Sequence, residues 1–319
     1  MPGNSKRKGA IKKTGKGNPT AGSGGRVRRG LEGKGPTPKA KDRPYHQAHK
    51  AAKRAERDKT TRPKRRTTSD AEWAAGRNSV VELLQGGVPV AALYVAEGAE
   101  RDNRLREAFK LAAEQGVRLL EVTRNEMDRM TNGAVHQGLA ARLPAYEYAH
   151  ADDLLDRADE LKEPALVVAL DQVTDPRNLG AVIRSAAGFG AHGVLIPERR
   201  AAGMTASAWK TSAGAAARLP VAQTVNLTRQ LKAYQEAGCM VVGLAADGDL
   251  SLPELVAPGG LAEGPLVVVV GSEGKGLSRL VAETCDQIVS IPMAAQLESL
   301  NAGVAASVAL YAISQARLA

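Results

Sequence analysis

This 319-residue sequence has few aromatic residues, few cysteines and no long hydrophobic run. Phe, Trp and Tyr make up 3% of the chain, which argues against a surface that binds bases mainly by stacking. The two cysteines, Cys239 and Cys285, argue against a disulfide scaffold and suit a reducing cytosol. No His and Cys cluster suggests a metal ion. No apolar run approaches the ~20 residues of a membrane helix, and the N-terminus lacks the apolar core of a signal peptide.

Positive charge is concentrated at the N-terminus. Residues 1–70 contain 22 Lys and Arg against 5 Asp and Glu, a net charge of +17. The whole chain contains 44 Lys and Arg and 34 Asp and Glu. Residues 71–319 therefore contain 22 basic and 29 acidic residues, a net charge of −7. Residues 1–72 show no apolar periodicity and cannot bury enough surface to offset chain entropy, so a disordered basic tail is predicted. Such a tail is typical of an arm that binds nucleic-acid phosphates; the alternative is a tail that only keeps the protein soluble.

Residues 73–146 have the pattern of a small α/β domain. Helices are predicted at 76–85, 103–115 and 124–130, and strands at 91–95, 117–122 and 139–143. Gly116 follows the second helix at the position of a C-terminal cap. His136 precedes the last strand within His-Gln-Gly, and we interpret it as a turn residue rather than a catalyst. Residues 147–164 are polar, with an acidic helix at 151–161, and are predicted to be a linker to a second domain at 165–319.

The second domain begins with a predicted strand at 166–170 that leads into a candidate site. Asn178 follows at the position of a helix cap, and the predicted helix runs to Gly188 with Arg184 on its polar face. The apolar stripe of this helix consists of Leu179, Val182, Ile183 and Ala186. Asn178 and Arg184 are either a functional pair or an ordinary cap and a solvated arginine, and their spacing leaves both interpretations open.

Two glycine-rich segments resemble nucleotide-binding loops without meeting the requirements for them. Residues 188–193, GFGAHG, end a helix and precede a strand at 194–196, whereas the dinucleotide motif follows a strand and opens a helix. We interpret these glycines as a helix cap and a turn. The loop 271–276 follows a strand at 266–270, but no Ser or Thr follows Lys275, which argues against a triphosphate site. A cofactor held mainly by backbone groups fits this loop better.

Several predicted elements near the C-terminus end in small or polar residues. Residues 201–217 are predicted to be helical, and strands are predicted at 238–244 and 288–291. Ser299-Leu300-Asn301 then opens an apolar helix that runs to the C-terminus. Ligands of open α/β sheets lie outside the carboxyl ends of the strands, so we expect the loops after these strands and the start of the last helix to meet at one ligand.

With these motifs in place, residues 74–319 resemble the SpoU family of RNA ribose 2'-O-methyltransferases, part of the SPOUT class. Three motifs match in order and spacing: Asn178-x-Gly180-x-x-x-Arg184, Gly271-Ser-Glu273-Gly-Lys-Gly-Leu277, and Ile291-Pro-Met293 followed by Ser299-Leu300-Asn301. Within the family the chain is most similar to enzymes that methylate a guanosine ribose in 23S ribosomal RNA. Those enzymes also carry a small ribosomal-protein-like domain with the His-Gln-Gly turn.

The resemblance implies an α/β fold in which the C-terminal SPOUT domain forms a deep trefoil knot. The small N-terminal α/β domain would bind RNA. The resemblance also implies S-adenosylmethionine as cofactor, large-subunit ribosomal RNA as partner, and a homodimer whose active site is completed across the interface.

The resemblance also assigns roles to residues. Arg184 is assigned to the 2'-hydroxyl group, and the residues that shape the site are Asn178, Glu273 and Asn301. Those expected at the cofactor are Gly271, Ile291 and Leu300, with Leu244, Met293 and Ser299 beside them. One departure from the family pattern is Gly303, where many relatives have a serine.

Two other functions stay open. The chain could methylate a guanosine ribose in tRNA, or it could be a non-catalytic RNA-binding factor in ribosome assembly. The small N-terminal domain favours ribosomal RNA over tRNA as the substrate. The presence of all the motif residues favours an enzyme over an assembly factor.

Overall fold

The computed structural model describes residues 72–294 and 300–318. The predicted basic tail and Ser299 therefore lie outside the described residues. The described residues belong to one compact unit, which contains a four-stranded sheet and a seven-stranded sheet. Within these two ranges, no helix has the length and apolar character needed to cross a membrane.

The first domain is built on the four-stranded sheet, with strand order β1-β4-β2-β3. Its strands are β1 (Trp73–Ala75), β2 (Ala92–Ala96), β3 (Arg118–Val122) and β4 (Leu139–Arg142). Its helices are α1 (Arg77–Gln85), α2 (Asn103–Glu114) and α3 (Arg124–Met130). β2 pairs parallel with β3 and antiparallel with β4. The predicted elements are present with ends shifted by at most one residue, while β1 is too short to show a period in the sequence.

Helix ends in this domain follow from the chemistry of single residues. Thr123 begins α3 with a capping box, in which its hydroxyl accepts from the Glu126 N–H and the Glu126 carboxylate accepts in return. Gly116 has a φ of +67°, the left-handed conformation expected for a helix C-terminus. The side chain of Asp102 accepts a hydrogen bond from the Leu105 N–H and caps α2.

The second domain is built on the seven-stranded parallel sheet, with order β7-β6-β5-β10-β8-β11-β9. Its strands are β5 (Leu166–Leu170), β6 (Gly193–Pro197), β7 (Val221–Thr224), β8 (Met240–Leu244), β9 (Leu250–Ser251), β10 (Leu266–Val270) and β11 (Gln287–Ser290). Its helices are α4 (Ala151–Leu161), α5 (Pro176–Gly188), α6 (Ala206–Thr211), α7 (Leu227–Glu236), α8 (Leu252–Leu255), α9 (Arg279–Ala282) and α10 (Ala302–Leu318).

Helices cover both faces of this sheet. One apolar cluster contains Leu154 of α4 and Leu231 of α7, packed on alternate residues of the central strands. The opposite cluster contains residues of α5 and α10 and continues into the first domain through α1. All five residues of β5 and of β10 are buried, as expected for parallel strands covered on both faces.

The segment expected to be a linker is packed against the second sheet. Leu154 of α4 is fully buried, and α4 contacts β5, β6 and β7. The phenol oxygens of Tyr146 and Tyr148 accept hydrogen bonds from the N–H groups of Val221 (3.1 Å) and Met204 (2.8 Å). The many acidic side chains suggested a linker, yet the apolar residues of the predicted acidic helix share one face and bury it.

The helical region predicted at 201–217 is two short helices rather than one. α6 ends at Thr211, and a 3-10 turn follows at Ala215–Ala217. Ala213 and Gly214 between them have φ angles of +47° and +78°, which stop an α-helix. β7, β9, α8 and α9 were not predicted, because elements of two to four residues are too short to show a period. α7 was also not predicted, although its buried residues Leu227, Leu231 and Tyr234 recur at helical spacing.

Candidate active site

The site lies at the carboxyl edge of the second sheet, where β10, β8 and β11 end side by side. A cavity of about 590 Å³ opens there. Five of the six residues expected at a cofactor line it: Leu244, Gly271, Ile291, Met293 and Leu300. The sixth, Ser299, lies outside the described residues. Three separate loops and the start of α10 therefore surround one space, as predicted from their positions after strands.

The glycine loop after β10 is a closed turn. The N–H of Ser272 donates to the Gly276 carbonyl (3.0 Å), and the N–H of Gly276 donates back to Ser272 (2.9 Å). A Cβ atom at Gly271 would lie 2.5 Å from the Gly276 carbonyl oxygen, so only glycine fits this position. The backbone of Gly271 therefore packs directly against the backbone of Gly276 and Leu277 at the edge of the cavity.

Three side chains from distant parts of the chain form a hydrogen-bonded cluster beside this loop. Nδ2 of Asn178 donates to Oε1 of Glu273 over 2.8 Å. Nδ2 of Asn301 donates to Oδ1 of Asn178 over 3.0 Å and also to Oε1 of Glu273. Oδ1 of Asn301 accepts from the N–H groups of Gly303 (2.9 Å) and Val304 (3.2 Å), so this side chain also caps α10. One residue from each of the three sequence motifs thus meets at one point.

The prediction that Asn178 caps α5 is wrong. Asp175 is the cap: its Oδ1 accepts from the Arg177 N–H at 2.8 Å, and Pro176 occupies the first helical position, where no N–H is needed. Asn178 lies within the first turn of α5 and is buried. Its amide is therefore available to Glu273 instead of serving the backbone of its own helix.

Arg184 does not join this cluster within the chain. It is exposed, and its guanidinium makes no hydrogen bond or ion pair with any residue in the described ranges. It lies six residues after Asn178 on α5, about 9 Å along the helix axis. A substrate bound at the cluster therefore has to extend along α5 to reach this guanidinium, or a second chain has to bring its own Arg184 to the cluster.

Gly303, the departure from the family pattern, lies where α10 meets α5. A Cβ atom at this position would lie 3.2 Å from the Cβ of Ala181 and 3.2 Å from Oδ1 of Asn301. A serine here would need small shifts of these neighbours. The hydroxyl that many relatives present is absent, while the cluster of Asn178, Glu273 and Asn301 is complete without it.

One buried carboxylate at this edge, Asp171, was not predicted from the sequence. Asp171 follows β5 directly, and its Oδ2 accepts a hydrogen bond from the Ser278 N–H at 2.6 Å. It therefore links the end of β5 to the end of the glycine loop. Asp247, Asp249 and Lys275, also not assigned from the sequence, line the cavity. Their position after strand ends was the available signal.

The remaining candidates for chemistry have structural roles. Nδ1 of His136 accepts from the Gly138 N–H at 3.0 Å, and its Nε2 contacts Asp128 Oδ1 at 3.0 Å, which supports its interpretation as a turn residue. Neither cysteine forms a disulfide bond within the described residues. Burial raises the pKa of the Cys285 thiol to about 12, so it does not form the reactive thiolate near neutral pH.

Comparisons with known proteins agree with this geometry. The sequence model of the SpoU rRNA methylase family matches residues 165–311, and that of the RNA 2'-O ribose methyltransferase substrate-binding domain matches residues 73–149. An uncharacterized tRNA/rRNA methyltransferase from Mycobacterium sp. (strain KMS) is 58% identical over 318 residues, which cover 99% of both chains.

Two solved structures share the fold. The SpoU methyltransferase AviRb from Streptomyces viridochromogenes, in complex with AdoMet, has a TM-score of 0.58 and 25% identity, over 83% of this chain and 94% of that one. An AdoMet-bound rRNA methyltransferase from Sinorhizobium meliloti has a TM-score of 0.52 and 23% identity, over 82% and 90% of the two chains, a likeness that concerns the fold alone.

The residues around the cavity fit S-adenosylmethionine (AdoMet) as the cofactor. Leu244, Val270 and Ile291 provide apolar surface for an adenine ring. The carboxylate of Asp249 and the ammonium of Lys275 are complementary to the amino and carboxylate groups of its methionine part.

With both domains matched and a relative 58% identical along its whole length, the chain belongs to the SpoU rRNA methylase family and is an S-adenosylmethionine-dependent RNA methyltransferase.

Proposed function

We propose that this protein methylates the ribose 2'-oxygen of a guanosine in 23S ribosomal RNA. The observation that carries the proposal is the cluster of Asn178, Glu273 and Asn301 at the cofactor cavity. The substrate-binding domain at residues 73–149 supports an RNA substrate larger than a nucleotide. The domain boundaries that we propose are a tail at 1–72, a substrate-binding domain at 73–146, a connecting segment at 147–164 that packs on the second sheet, and a catalytic domain at 165–319. Two cysteines without a disulfide bond suit a cytoplasmic protein.

When bound, S-adenosylmethionine supplies a methyl group on a positively charged sulfur. Because that methyl is already activated, the residues of the chain have mainly to position the ribose while its hydroxyl proton passes to solvent water. Holding two reactants at attack distance supplies ~7–11 kcal/mol. Asn178 and Asn301 hold the Glu273 carboxylate beside the cavity, where it restricts the orientation of the incoming ribose.

Arg184 serves as an electrostatic partner of the developing 2'-alkoxide in this mechanism. An arginine side chain stays protonated in proteins and is a poor general base, whereas a fixed positive charge stabilises an oxyanion. Arg184 is exposed and makes no ion pair with other described residues, so its charge is available to RNA.

A homodimer accounts for the distance between Arg184 and the cluster. α10 exposes Val304, Val308 and Tyr311, whose side chains retain 48%, 39% and 54% of their accessible surface and recur at one-turn spacing. The ring of Tyr311 packs edge-on against Phe189, next to the end of α5. We propose that this apolar stripe, Val304, Val308 and Tyr311, packs on a second copy and brings Arg184 of the partner subunit toward the site.

The deep trefoil knot that the resemblance implies for the C-terminal domain stays a prediction.

The experiment that tests the substrate is a nucleotide-level map of 2'-O-methylation in cells with and without the gene. Loss of one guanosine methylation in 23S ribosomal RNA is the expected result. Loss of a methylation in tRNA, with ribosomal RNA unchanged, would establish the alternative substrate. The small N-terminal domain favours ribosomal RNA.

A further inference from the structure

One loop lies between the substrate-binding domain and the methyl-transfer site. Residues 198–205 follow the carboxyl end of β6, which pairs parallel with β5, the strand that leads to Asn178. α6 follows the loop and contacts the first domain, where Nζ of Lys210 lies 2.6 Å from Oε2 of Glu82 on α1. The cofactor cavity lies at β10, β8 and β11, on the other side of β5. In the sheet order, this loop therefore lies between the contact with the first domain and the cavity.

The loop is held at several points along its length. The Ala202 N–H donates to the Val173 carbonyl (2.8 Å) in the loop before α5. The Met204 N–H donates to the Tyr148 hydroxyl (2.8 Å), and the N–H of Ala206, the first residue of α6, donates to the carboxylate of Glu72 (3.4 Å), the residue before β1. Hydrogen bonds to the segments just before α5, α4 and β1 thus hold the loop and its end.

Arg199 and Arg200 are exposed on this loop, and neither makes an ion pair or side-chain hydrogen bond with the residues that the structure describes. Arg200 has a φ of +58°, a left-handed conformation that costs an L-residue free energy and persists where surrounding contacts impose it. Arg177, also exposed, lies at the start of α5 beside Asn178. Two carboxylates are nearby: Asp175, which caps α5, and Glu198.

We propose that Arg199 and Arg200 bind consecutive phosphates of the RNA strand that connects the substrate-binding domain to the methyl-transfer site, with Arg177 as a third contact. The inference rests on the proposed function and adds a binding surface to it. Residues 71–319 carry a net charge of −7, so most of this body repels a polyanion, and unpaired arginines at the site edge offer a compensating contact. Phosphate contacts of this kind fix register and orientation rather than sequence.

The test compares Arg199→Ala/Arg200→Ala with Arg157→Ala/Lys232→Ala in the full-length protein. The control pair removes two exposed cations from α4 and α7. These helices cover the face of the second sheet that is opposite to α5 and α10. An unmethylated 23S ribosomal RNA transcript is the probe, and its dissociation constant is measured from low to high salt. The Arg199/Arg200 variant should bind roughly tenfold more weakly at physiological salt, and its slope of log K against log salt should fall by about 1.5.

Three further results separate this inference from the proposed function. The Arg199/Arg200 variant should raise the KM for RNA while kcat at saturating RNA and the affinity for S-adenosylmethionine, measured by calorimetry, stay within about twofold. Arg199→Lys/Arg200→Lys should retain most of the salt slope, because it keeps the charge. If wild-type protein methylates the transcript while the two double variants bind it equally well, the arginine contact is wrong. If wild-type protein leaves the transcript unmethylated, the proposed substrate fails instead.

Discussion

Asn178 and Glu273 are joined by a hydrogen bond of 2.8 Å although 95 residues separate them in the chain. Asn301 completes the pair by donating to both side chains. The contact joins the first turn of α5, which follows β5, to the loop after β10, and β5 and β10 are neighbours in the sheet. Glu273 is therefore the common acceptor for two amide groups at the edge of the cofactor cavity.

Removing this acceptor should impair catalysis more than folding. We expect Glu273→Ala to lower the single-turnover rate of methyl transfer by at least about tenfold, ~1.4 kcal/mol of barrier. Glu273→Gln, which keeps an amide oxygen as acceptor, should lose less. Because Glu273 is exposed, the thermal unfolding midpoint of the Glu273→Ala protein should stay close to that of the wild type. An unchanged transfer rate in Glu273→Ala would contradict the role of the cluster.

Arg184→Ala should abolish methyl transfer and leave the affinity for S-adenosylmethionine nearly intact. The side chain is exposed and does not line the cofactor cavity, so its loss should change neither folding nor cofactor binding. Transfer rates and calorimetry measure the two effects. Arg157→Ala is the matched control on α4. Activity of Arg184→Ala within about tenfold of wild type, ~1.4 kcal/mol, would refute the assignment.

Val308→Glu should separate the proposed dimer. A carboxylate in the middle of the apolar stripe on α10 would be buried without a partner in the interface, whereas in a monomer it is solvated. Analytical ultracentrifugation should show half the wild-type mass, and methyl transfer should fall with it. Leu280→Glu is the control, since Leu280 is also an exposed apolar residue but lies on α9. A wild-type protein that sediments as a monomer would remove the dimer from the mechanism.

His192 should make stability depend on pH below neutrality. Burial lowers its pKa below the ordinary 6.5, outweighing the opposing effect of Glu163, and its Nδ1 accepts from the Leu166 N–H at 3.0 Å and so carries no proton. As pH falls through 6.5, the unfolded chain binds a proton that the folded chain resists, so folding stability is lost. We expect the urea unfolding free energy of His192→Asn to change less between about pH 5.5 and 7.5 than that of wild type. Equal slopes would contradict this.

Deleting residues 1–70 should weaken RNA binding and flatten its salt dependence. The deleted segment carries a net charge of +17, and each phosphate contact adds to the salt slope. Filter binding at several salt concentrations measures the change. The methylated nucleotide should stay the same, because contacts that bind phosphates carry no sequence information. A shift of the methylated position would show that the tail contributes specificity.

The sequence predicted elements well where an uninterrupted apolar run or a helical segment of about two turns is present. The five-residue strands β5 and β10 and the helix α3 occur at the predicted residues. Short elements such as β1 and β9, with three and two residues, were missed because a period cannot show in so few positions. The cap of α5 was assigned to Asn178 instead of Asp175, since both residue types cap helices and only their contacts distinguish them.

By itself, the sequence determined the α/β class, the glycine loop and the three motifs that identify the family, because these features depend on neighbouring residues. The tertiary structure alone decided the strand order, the packing of residues 147–164 on the sheet, and the meeting of Asn178, Glu273 and Asn301. These depend on how elements far apart in the chain bury their apolar faces against one another. Local periodicity records which face is apolar but not which partner covers it.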